Sequence, residues 1–200
     1  MIIGITGSIG SGKTTVAKSF GRHHFAIINA DEISHLLMKK GSVVYTKVFE
    51  SFGTQILDRK RNISRKKLGE IVFSDSEKLR ELNLIMHPAI LSEIKNRIRE
   101  IKDKCRNESR IVIEAPLLLE TSAKKLVDKV VVVRTDLRKI ITRNRNFSKI
   151  QIEMMLKFQM PIGEKIKYAD FVVDNNSDLK NLERQVEGII GKLREFDKSK

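Results

Sequence analysis

A short run of residues near the start of the chain has the types and spacing of a phosphate-binding loop. Residues 7–14 read Gly-Ser-Ile-Gly-Ser-Gly-Lys-Thr, which fits the pattern G-x-x-x-x-G-K-[ST] at every fixed position. Glycines allow the backbone to curl until its amides face phosphate oxygens, and a helix that follows adds free N-terminal amides. In such a loop Lys13 reaches the β- and γ-phosphates of a nucleoside triphosphate, and the Thr14 hydroxyl binds Mg²⁺. The pattern therefore predicts triphosphate binding, with a glycine-rich turn that binds nothing as the structural alternative.

Two carboxylates follow predicted strands and could take part in the same chemistry. Asp31 comes just after an apolar strand at 26–29, and ligands of parallel sheets bind at the carboxyl ends of strands. A carboxylate there can accept a proton from an attacking hydroxyl, but Asp31 could equally cap the helical segment that follows it. Glu114 ends another predicted strand, where it could support a bound metal ion or face solvent.

Continuously apolar runs predict the strands that would position these residues. They cover residues 2–6, 26–29, 110–114, 128–134 and 169–174. Such runs are typical of strands buried on both faces of a parallel sheet, and the helical patterns between them supply the crossovers. The sequence therefore predicts an α/β fold, namely a three-layer α/β/α sandwich with a five-stranded parallel sheet.

Two stretches between the strands are longer than simple crossovers require. Residues 42–104 show helical patterns and no convincing strand, and we expect the longest helix to begin at His87-Pro88, because proline suits a first helical turn. Residues 136–168 are basic at first and then apolar, and could form a mobile lid. We therefore expect one domain with its core at about 1–41, 105–135 and 169–200, a helical substrate lobe at about 42–104 and a lid at about 136–168.

Composition narrows the class of protein. Of the 200 residues, 40% are hydrophobic and 32% charged, which is ordinary for a globular domain. The 39 Lys and Arg against 25 Asp and Glu give a net charge of +14, which favours anionic partners. Nucleic acid is a less favoured partner, because aromatics make up only 6% and no zinc-ligand spacing occurs. The single cysteine, Cys105, and the lack of a leader or an apolar span predict a cytoplasmic protein without a membrane partner.

An ordered set of motifs over most of the chain resembles the dephospho-CoA kinase family. The phosphate-binding loop opens the set, and Asn29-Ala30-Asp31 resembles that family's Asp-Ala-Asp after the second strand. The further matches are Ile-Ser-Arg-Lys-Lys-Leu at 63–68, Ile-Met-His-Pro at 85–88, Pro-Leu-Leu-Leu-Glu at 116–120, Gln159, Lys165, Ala169-Asp170 and Asp174-Asn175. A phosphate-binding loop alone defines a superfamily of many functions, so the ordered set is far more specific.

The resemblance implies a kinase that transfers the γ-phosphoryl group of ATP, with Mg²⁺, to the ribose 3′-hydroxyl of dephospho-CoA. It implies that Asp31 is the catalytic carboxylate and that Lys13 is also catalytic. It also implies that the lobe at 42–104 binds the CoA part of the substrate, with Arg65 and His87 in its motifs. The ATP site would comprise Gly7, Gly10, Ser11, Gly12, Lys13, Thr14, Thr15 and Asn175, with Thr14 also on the metal. A lid arginine, Arg145 or Arg143, would neutralise charge on the transferred phosphoryl group.

Two departures and several alternatives qualify this resemblance. Asn29 replaces the first Asp of Asp-Ala-Asp, and Ser64 replaces the Asp before Arg65. Taken singly, Arg65 could be a solvated charge and His87 a helix cap. At the level of the whole chain, the alternatives are a P-loop kinase of another small nucleotide or hydroxyl substrate, and a non-catalytic nucleotide or nucleic-acid binding module. GTPase motifs of the type Asn-Lys-x-Asp and Asp-x-x-Gly do not occur.

Overall fold

The computed structural model of the protein describes residues 1–105, 109–144 and 147–198, with side chains to residue 195. Within this part of the chain, five strands form one sheet in the order β2-β3-β1-β4-β5. The strands are β1 (Ile2–Gly7), β2 (Ala26–Asn29), β3 (Ile111–Glu114), β4 (Lys129–Arg134) and β5 (Phe171–Asp174). The central strand β1 pairs in parallel with β3 and β4, and β4 pairs in parallel with β5. The predicted five-stranded parallel sheet is confirmed.

Helices follow the strands and fill the stretches between them. They are α1 (Lys13–Arg22), α2 (Ala30–Leu37), α3 (Val43–Phe52), α4 (Arg65–Ser74), α5 (Ser76–Lys104), α6 (Leu137–Arg143), α7 (Lys149–Lys157), α8 (Ile162–Lys167) and α9 (Leu179–Lys198), with short 3₁₀ turns at Thr54–Ile56 and Ser122–Leu126. Among the described residues, no helix combines the length and the apolar character needed to cross a membrane.

The chain divides into two compact units, of which the first comprises Met1–Ile28 and Ile101–Lys200. Its core is built around the sheet, because β1 and β4 are buried along nearly their whole length. Helices α1 and α9 contribute apolar faces to this core, including Val16, Phe20, Leu182 and Val186, each at most 1% exposed. A rigid sheet of this kind holds the loops at its carboxyl edge in fixed positions.

The second compact unit comprises Asn29–Glu100 and is helical. Its apolar cluster draws on α3, α4 and α5, with Val48, Ile56, Val72 and Met86 all buried. Apart from an isolated antiparallel bridge between Leu57 and Ile63, residues 42–104 contain no strand pairing, as the helical patterns predicted.

The prediction that the longest helix begins at His87-Pro88 is wrong. Helix α5 runs over Ser76–Lys104, with Pro88 in its interior. An interior proline gives up one backbone hydrogen bond and crowds the carbonyl four residues earlier. Packing on both sides offsets this cost, since Met86 before the proline and Ile94 and Ile98 after it are all buried.

Candidate active site

The phosphate-binding loop joins β1 to α1, and its glycines are required by the space around them. Gly7 has a positive φ of 151°, and a Cβ there would lie 2.4 Å from the carbonyl oxygen of Val133. Gly12 has a φ of 89°, and a Cβ there would lie 2.2 Å from Nδ2 of Asn175. Backbone atoms cannot yield as a side chain can, so the sheet itself fixes the glycine at the loop entrance. Gly10 also adopts a positive φ, of 70°.

Neighbouring strands hold the loop through the backbone of Ser11. The Ser11 carbonyl accepts hydrogen bonds from Oγ1 of Thr135 and Nδ2 of Asn175, both at 2.9 Å. Asn175, which the resemblance placed in the ATP site, therefore contacts the loop backbone directly. The Ser11 hydroxyl is buried and has no hydrogen-bond partner among the residues that the structure describes. The amide nitrogen of Thr15, in the first turn of α1, donates to the Gly12 carbonyl at 3.0 Å.

The two side chains that would meet the phosphates and the metal are already positioned by hydrogen bonds. Lys13 is only 6% exposed, and its Nζ donates to the Ser8 carbonyl at 2.9 Å. The Thr14 hydroxyl donates to Oε1 of Glu114 at 2.6 Å. Glu114 is 3% exposed, so the alternative that it faces solvent is wrong. The sheet register explains its position, since Glu114 pairs with Ile5 beside the start of the loop.

Thr14 and Glu114 together fit a magnesium ion. Mg²⁺ prefers oxygen ligands and is commonly held by one or two protein oxygens together with substrate phosphates and water. The Thr14 hydroxyl, at the end of the phosphate-binding loop, and the Glu114 carboxylate, at the end of β3, lie within hydrogen-bond distance of each other and supply such oxygens.

Side chains from the segment that precedes β5 also contact the phosphate-binding region. The amide nitrogen of Ile9, inside the loop, donates to Oε1 of Gln159 at 3.1 Å. Lys165 of α8 is fully buried and donates to the Pro116 carbonyl at 2.6 Å. In the sequence, Gln159 and Lys165 match a family pattern that assigns neither of them a role. Lys165 follows Glu164 and precedes Ile166, so its immediate neighbours in the sequence do not mark it as buried.

Asp31 lies in the first turn of α2 with an exposed side chain. The alternative that it caps this helix is wrong, because the cap is Asn29, whose side chain accepts from the amide of Glu32 at 3.0 Å. Asparagine and aspartate are both good N-caps, so the departure at position 29 keeps this local function. Asp31 is therefore left without a capping role.

A cavity of about 420 Å³ lies beside the end of α2 within the second unit. Its lining residues are His35, Met38, Lys39, Lys40, Asn62, Ile63 and Arg65. Three of them, Lys39, Lys40 and Arg65, are basic and none is acidic, so the cavity suits an anionic ligand. Burial, and next the positive charge of Arg65, lower the pKa of His35, although Asp31 and Glu32 oppose the shift.

Ser64 sets the start of α4 and thereby the position of Arg65 at this cavity. The Ser64 hydroxyl accepts from the amide of Lys67 at 3.4 Å and caps α4, which makes Arg65 the first residue of that helix. A serine can therefore replace the family's aspartate and still start the helix at the same residue. The neighbouring turn is also ordered, because Asp58 accepts hydrogen bonds from the amides of Lys60 and Asn62.

The remaining predicted site residues lie elsewhere. His87 lies in the interior of α5, so the alternative that it caps a helix is wrong, and it is not among the residues lining the cavity. Burial lowers the pKa of His87. Arg143 ends α6 and donates to the Asn175 carbonyl at 2.9 Å. Arg145 lies outside the residues that the structure describes.

Comparison with known proteins shows which family the chain belongs to. The family model described as dephospho-CoA kinase matches residues 1–181. A dephospho-CoA kinase of Carboxydothermus hydrogenoformans is 39% identical, covering 100% of this chain and 97% of its own. The corresponding protein of Fusobacterium nucleatum is 41% identical, covering 94% and 95%.

Solved structures agree with the sequence comparisons. A dephospho-CoA kinase from Campylobacter jejuni superposes with a TM-score of 0.68 at 27% identity, covering 98% of both chains. A shikimate kinase from Acinetobacter baumannii superposes with a TM-score of 0.52, covering 97% of this chain and 93% of its own, but at 13% identity it shows the fold alone.

Proposed function

Since the chain belongs to the dephospho-CoA kinase family, we propose that it transfers the γ-phosphoryl group of ATP to the ribose 3′-hydroxyl of dephospho-CoA. The observation that carries this proposal is the family match over residues 1–181, which includes the complete phosphate-binding loop. The alternative of a P-loop kinase for another small substrate is not favoured by these comparisons.

ATP binds, in this proposal, to the loop between β1 and α1. Its ligands are the loop residues Gly7, Gly10, Ser11, Gly12, Lys13, Thr14 and Thr15, supported by Asn175. Lys13 neutralises charge between the β- and γ-phosphates. Thr14, with Glu114 beside it, would hold Mg²⁺, and the bound ion would offset negative charge on the phosphate oxygens. The hydrogen bond between Thr14 and Glu114 supports this assignment.

Asp31 acts as the base that accepts the proton of the attacking 3′-hydroxyl, or orients that hydroxyl. Its exposed carboxylate and its freedom from capping support this role. A lid arginine, Arg143 or Arg145, would stabilise the transferred phosphoryl group in a segment, 136–168, that closes over the substrates and excludes water. His87 is proposed as a further acceptor contact within the lobe at 42–104.

The acceptor's diphosphate occupies the basic cavity beside α2. Asp31 and His35 are one helical turn apart, a rise of about 6 Å along the axis. The 5′-diphosphate of dephospho-CoA is attached to the same ribose as the 3′-hydroxyl, so a hydroxyl at Asp31 puts the diphosphate near His35. Lys39, Lys40 and Arg65, which line the cavity, supply its counter-charge.

A turnover assay tests the proposed function directly. Purified protein with ATP and Mg²⁺ should phosphorylate dephospho-CoA and leave shikimate, gluconate and nucleosides at background rates. Product should be identified as CoA by mass spectrometry and by its use in a CoA-dependent reaction. A rate with dephospho-CoA no higher than background would contradict the proposal.

Removal of Arg65 should weaken acceptor binding selectively. We expect Arg65→Ala to raise KM for dephospho-CoA by about tenfold or more, because a charge-assisted hydrogen bond contributes about 1.5–3 kcal/mol. KM for ATP should stay within about twofold, a shift well under 1 kcal/mol. The matched control is Lys66→Ala, which removes the same charge from the next residue of α4 without touching the cavity lining. An equal effect of both variants on acceptor KM would contradict the assignment.

Acceptor binding should also depend on the charge of His35. The pKa of His35 is below its ordinary value of 6.5, so the side chain is neutral at pH 7 and gains charge only as the pH falls through that lowered pKa. The added cation should tighten dephospho-CoA binding, since the acceptor's diphosphate stays ionised in that range. Calorimetric Kd values from pH 7.5 downward should therefore decrease for the wild type and stay level for His35→Gln. A level wild-type profile would exclude His35 from the diphosphate site.

A further inference from the structure

Lys165 is a buried cation that the proposed reaction does not use. Its side chain is 0% exposed, and burial lowers its pKa although Glu120 opposes the shift. Three oxygen atoms surround its ammonium, namely the Pro116 carbonyl at 2.6 Å, Oε1 of Glu120 at 2.9 Å and Oγ1 of Thr6 at 3.4 Å. An ammonium group has three donors, so each donor meets one acceptor.

These contacts connect Lys165 to the strand from which the phosphate-binding loop starts. Thr6 is the residue before Gly7, and its hydroxyl also donates to the Pro116 carbonyl at 3.1 Å. The Pro116 carbonyl thus accepts from both side chains, which joins the end of β1, the segment after β3 and helix α8. A point cation fits this arrangement because three acceptors from two segments, the end of β1 and the stretch after β3, converge on one atom.

A second branch of the same network reaches the inside of the loop. Oε1 of Glu120 also accepts from the amide of Met160 at 2.9 Å. The residue before Met160 is Gln159, whose Oε1 accepts from the amide of Ile9 within the loop. Glu120, held by Lys165, therefore fixes the backbone that presents Gln159 to the phosphate-binding loop.

Burying this charge costs free energy, so stability alone does not explain why the network is present. The Lys165 side chain is fully buried while the Glu120 side chain stays 20% exposed, so the pair removes one charge from water, which is expensive. Ion pairs with a buried charge can often be replaced by apolar residues without loss of stability. We propose that Lys165, through Glu120 and Gln159, is a positioning residue that holds the phosphate-binding loop in the shape that binds the nucleotide. This inference rests on the ATP site of the proposed function and is independent of the identity of the acceptor.

Calorimetry with a non-hydrolysable ATP analogue and Mg²⁺, in the absence of any acceptor, tests it. Lys165→Met should weaken binding by about tenfold, a typical size for coupling between sites. The matched control Lys167→Ala, which removes an exposed lysine of the same helix paired to Glu164, should bind as the wild type does. Wild-type affinity in a folded Lys165→Met protein would overturn the proposal. Because no acceptor is present, failure of the dephospho-CoA assignment would leave this measurement valid.

Two further variants separate positioning from folding. Lys165→Met leaves the Glu120 charge unpaired, so the double variant Lys165→Met/Glu120→Gln should regain thermal stability while its nucleotide affinity stays low. Recovery of both properties in the double variant would assign Lys165 a purely structural role and overturn the proposal. Gln159→Leu, at the half-buried end of the network, should weaken the analogue by about fivefold. Unchanged affinity in that variant would also contradict the inference.

Discussion

Replacing Lys13 with alanine should lower kcat by about 10²–10³-fold, the loss typical when one donor to developing transition-state charge is removed. The Lys13 ammonium is nearly buried and rests against the Ser8 carbonyl, so it is held at the loop before any phosphate arrives. Charge that moves between the β- and γ-phosphates would meet this fixed cation at little reorganisation cost. Alanine is a good helix former, so α1 should still begin at the same residue.

The measurement is steady-state kinetics with ATP and dephospho-CoA, accompanied by thermal melting of each protein. Lys18→Ala is the matched control, because Lys18 is an exposed lysine of the same helix. It should leave both kcat and KM near wild type. A Lys13→Ala protein with wild-type kcat would refute the assignment of the loop, and with it the whole ATP site.

The phosphate-binding loop was predictable because its requirements are local. Each fixed position of the motif corresponds to a need of the adjacent backbone, such as the positive φ of Gly12. The strand bounds were also close, since continuous apolar runs are typical of strands in a parallel sheet. The expected burial on both faces holds for β1, β3 and β4, whereas β2 and β5 expose Ile27 and Val172. The cap of α2 also follows a local rule, because both asparagine and aspartate are favoured at the N-cap. The sequence offers Asn29 and, two residues later, Asp31 for this position, and the structure has Asn29 there.

Other features depended on contacts that no local pattern encodes. Glu114 is buried because the register of β3 against β1 brings it to Thr14, a residue 100 positions away. The contact between Gln159 and Ile9 spans 150 positions. The start of the longest helix was predicted wrongly because Pro88 is a strong local signal for a first helical turn. Tertiary packing overrides this signal, and α5 continues through Pro88.

Asp31→Asn should retain ATP binding and lose most of kcat, by about 10²–10⁴-fold, the usual contribution of a positioned general base. Asparagine keeps the shape of the side chain and removes its basicity, so it can no longer take the proton of the attacking hydroxyl. Folding should change little, because Asn29 and not Asp31 caps α2. The remaining loss is one favourable interaction with the helix N-terminus, about 0.3–1 kcal/mol.

Glu32→Gln is the matched control, since Glu32 is the next residue of the same helical turn and also exposed. Both variants lose one negative charge near the cavity, so any general electrostatic effect on acceptor binding should appear in both. Only Asp31→Asn should lose turnover, while calorimetry with the ATP analogue should give wild-type Kd values for both. Equal kcat values for the two variants would leave Asp31 a solvent-exposed carboxylate without a catalytic role, because the capping alternative is already excluded by Asn29.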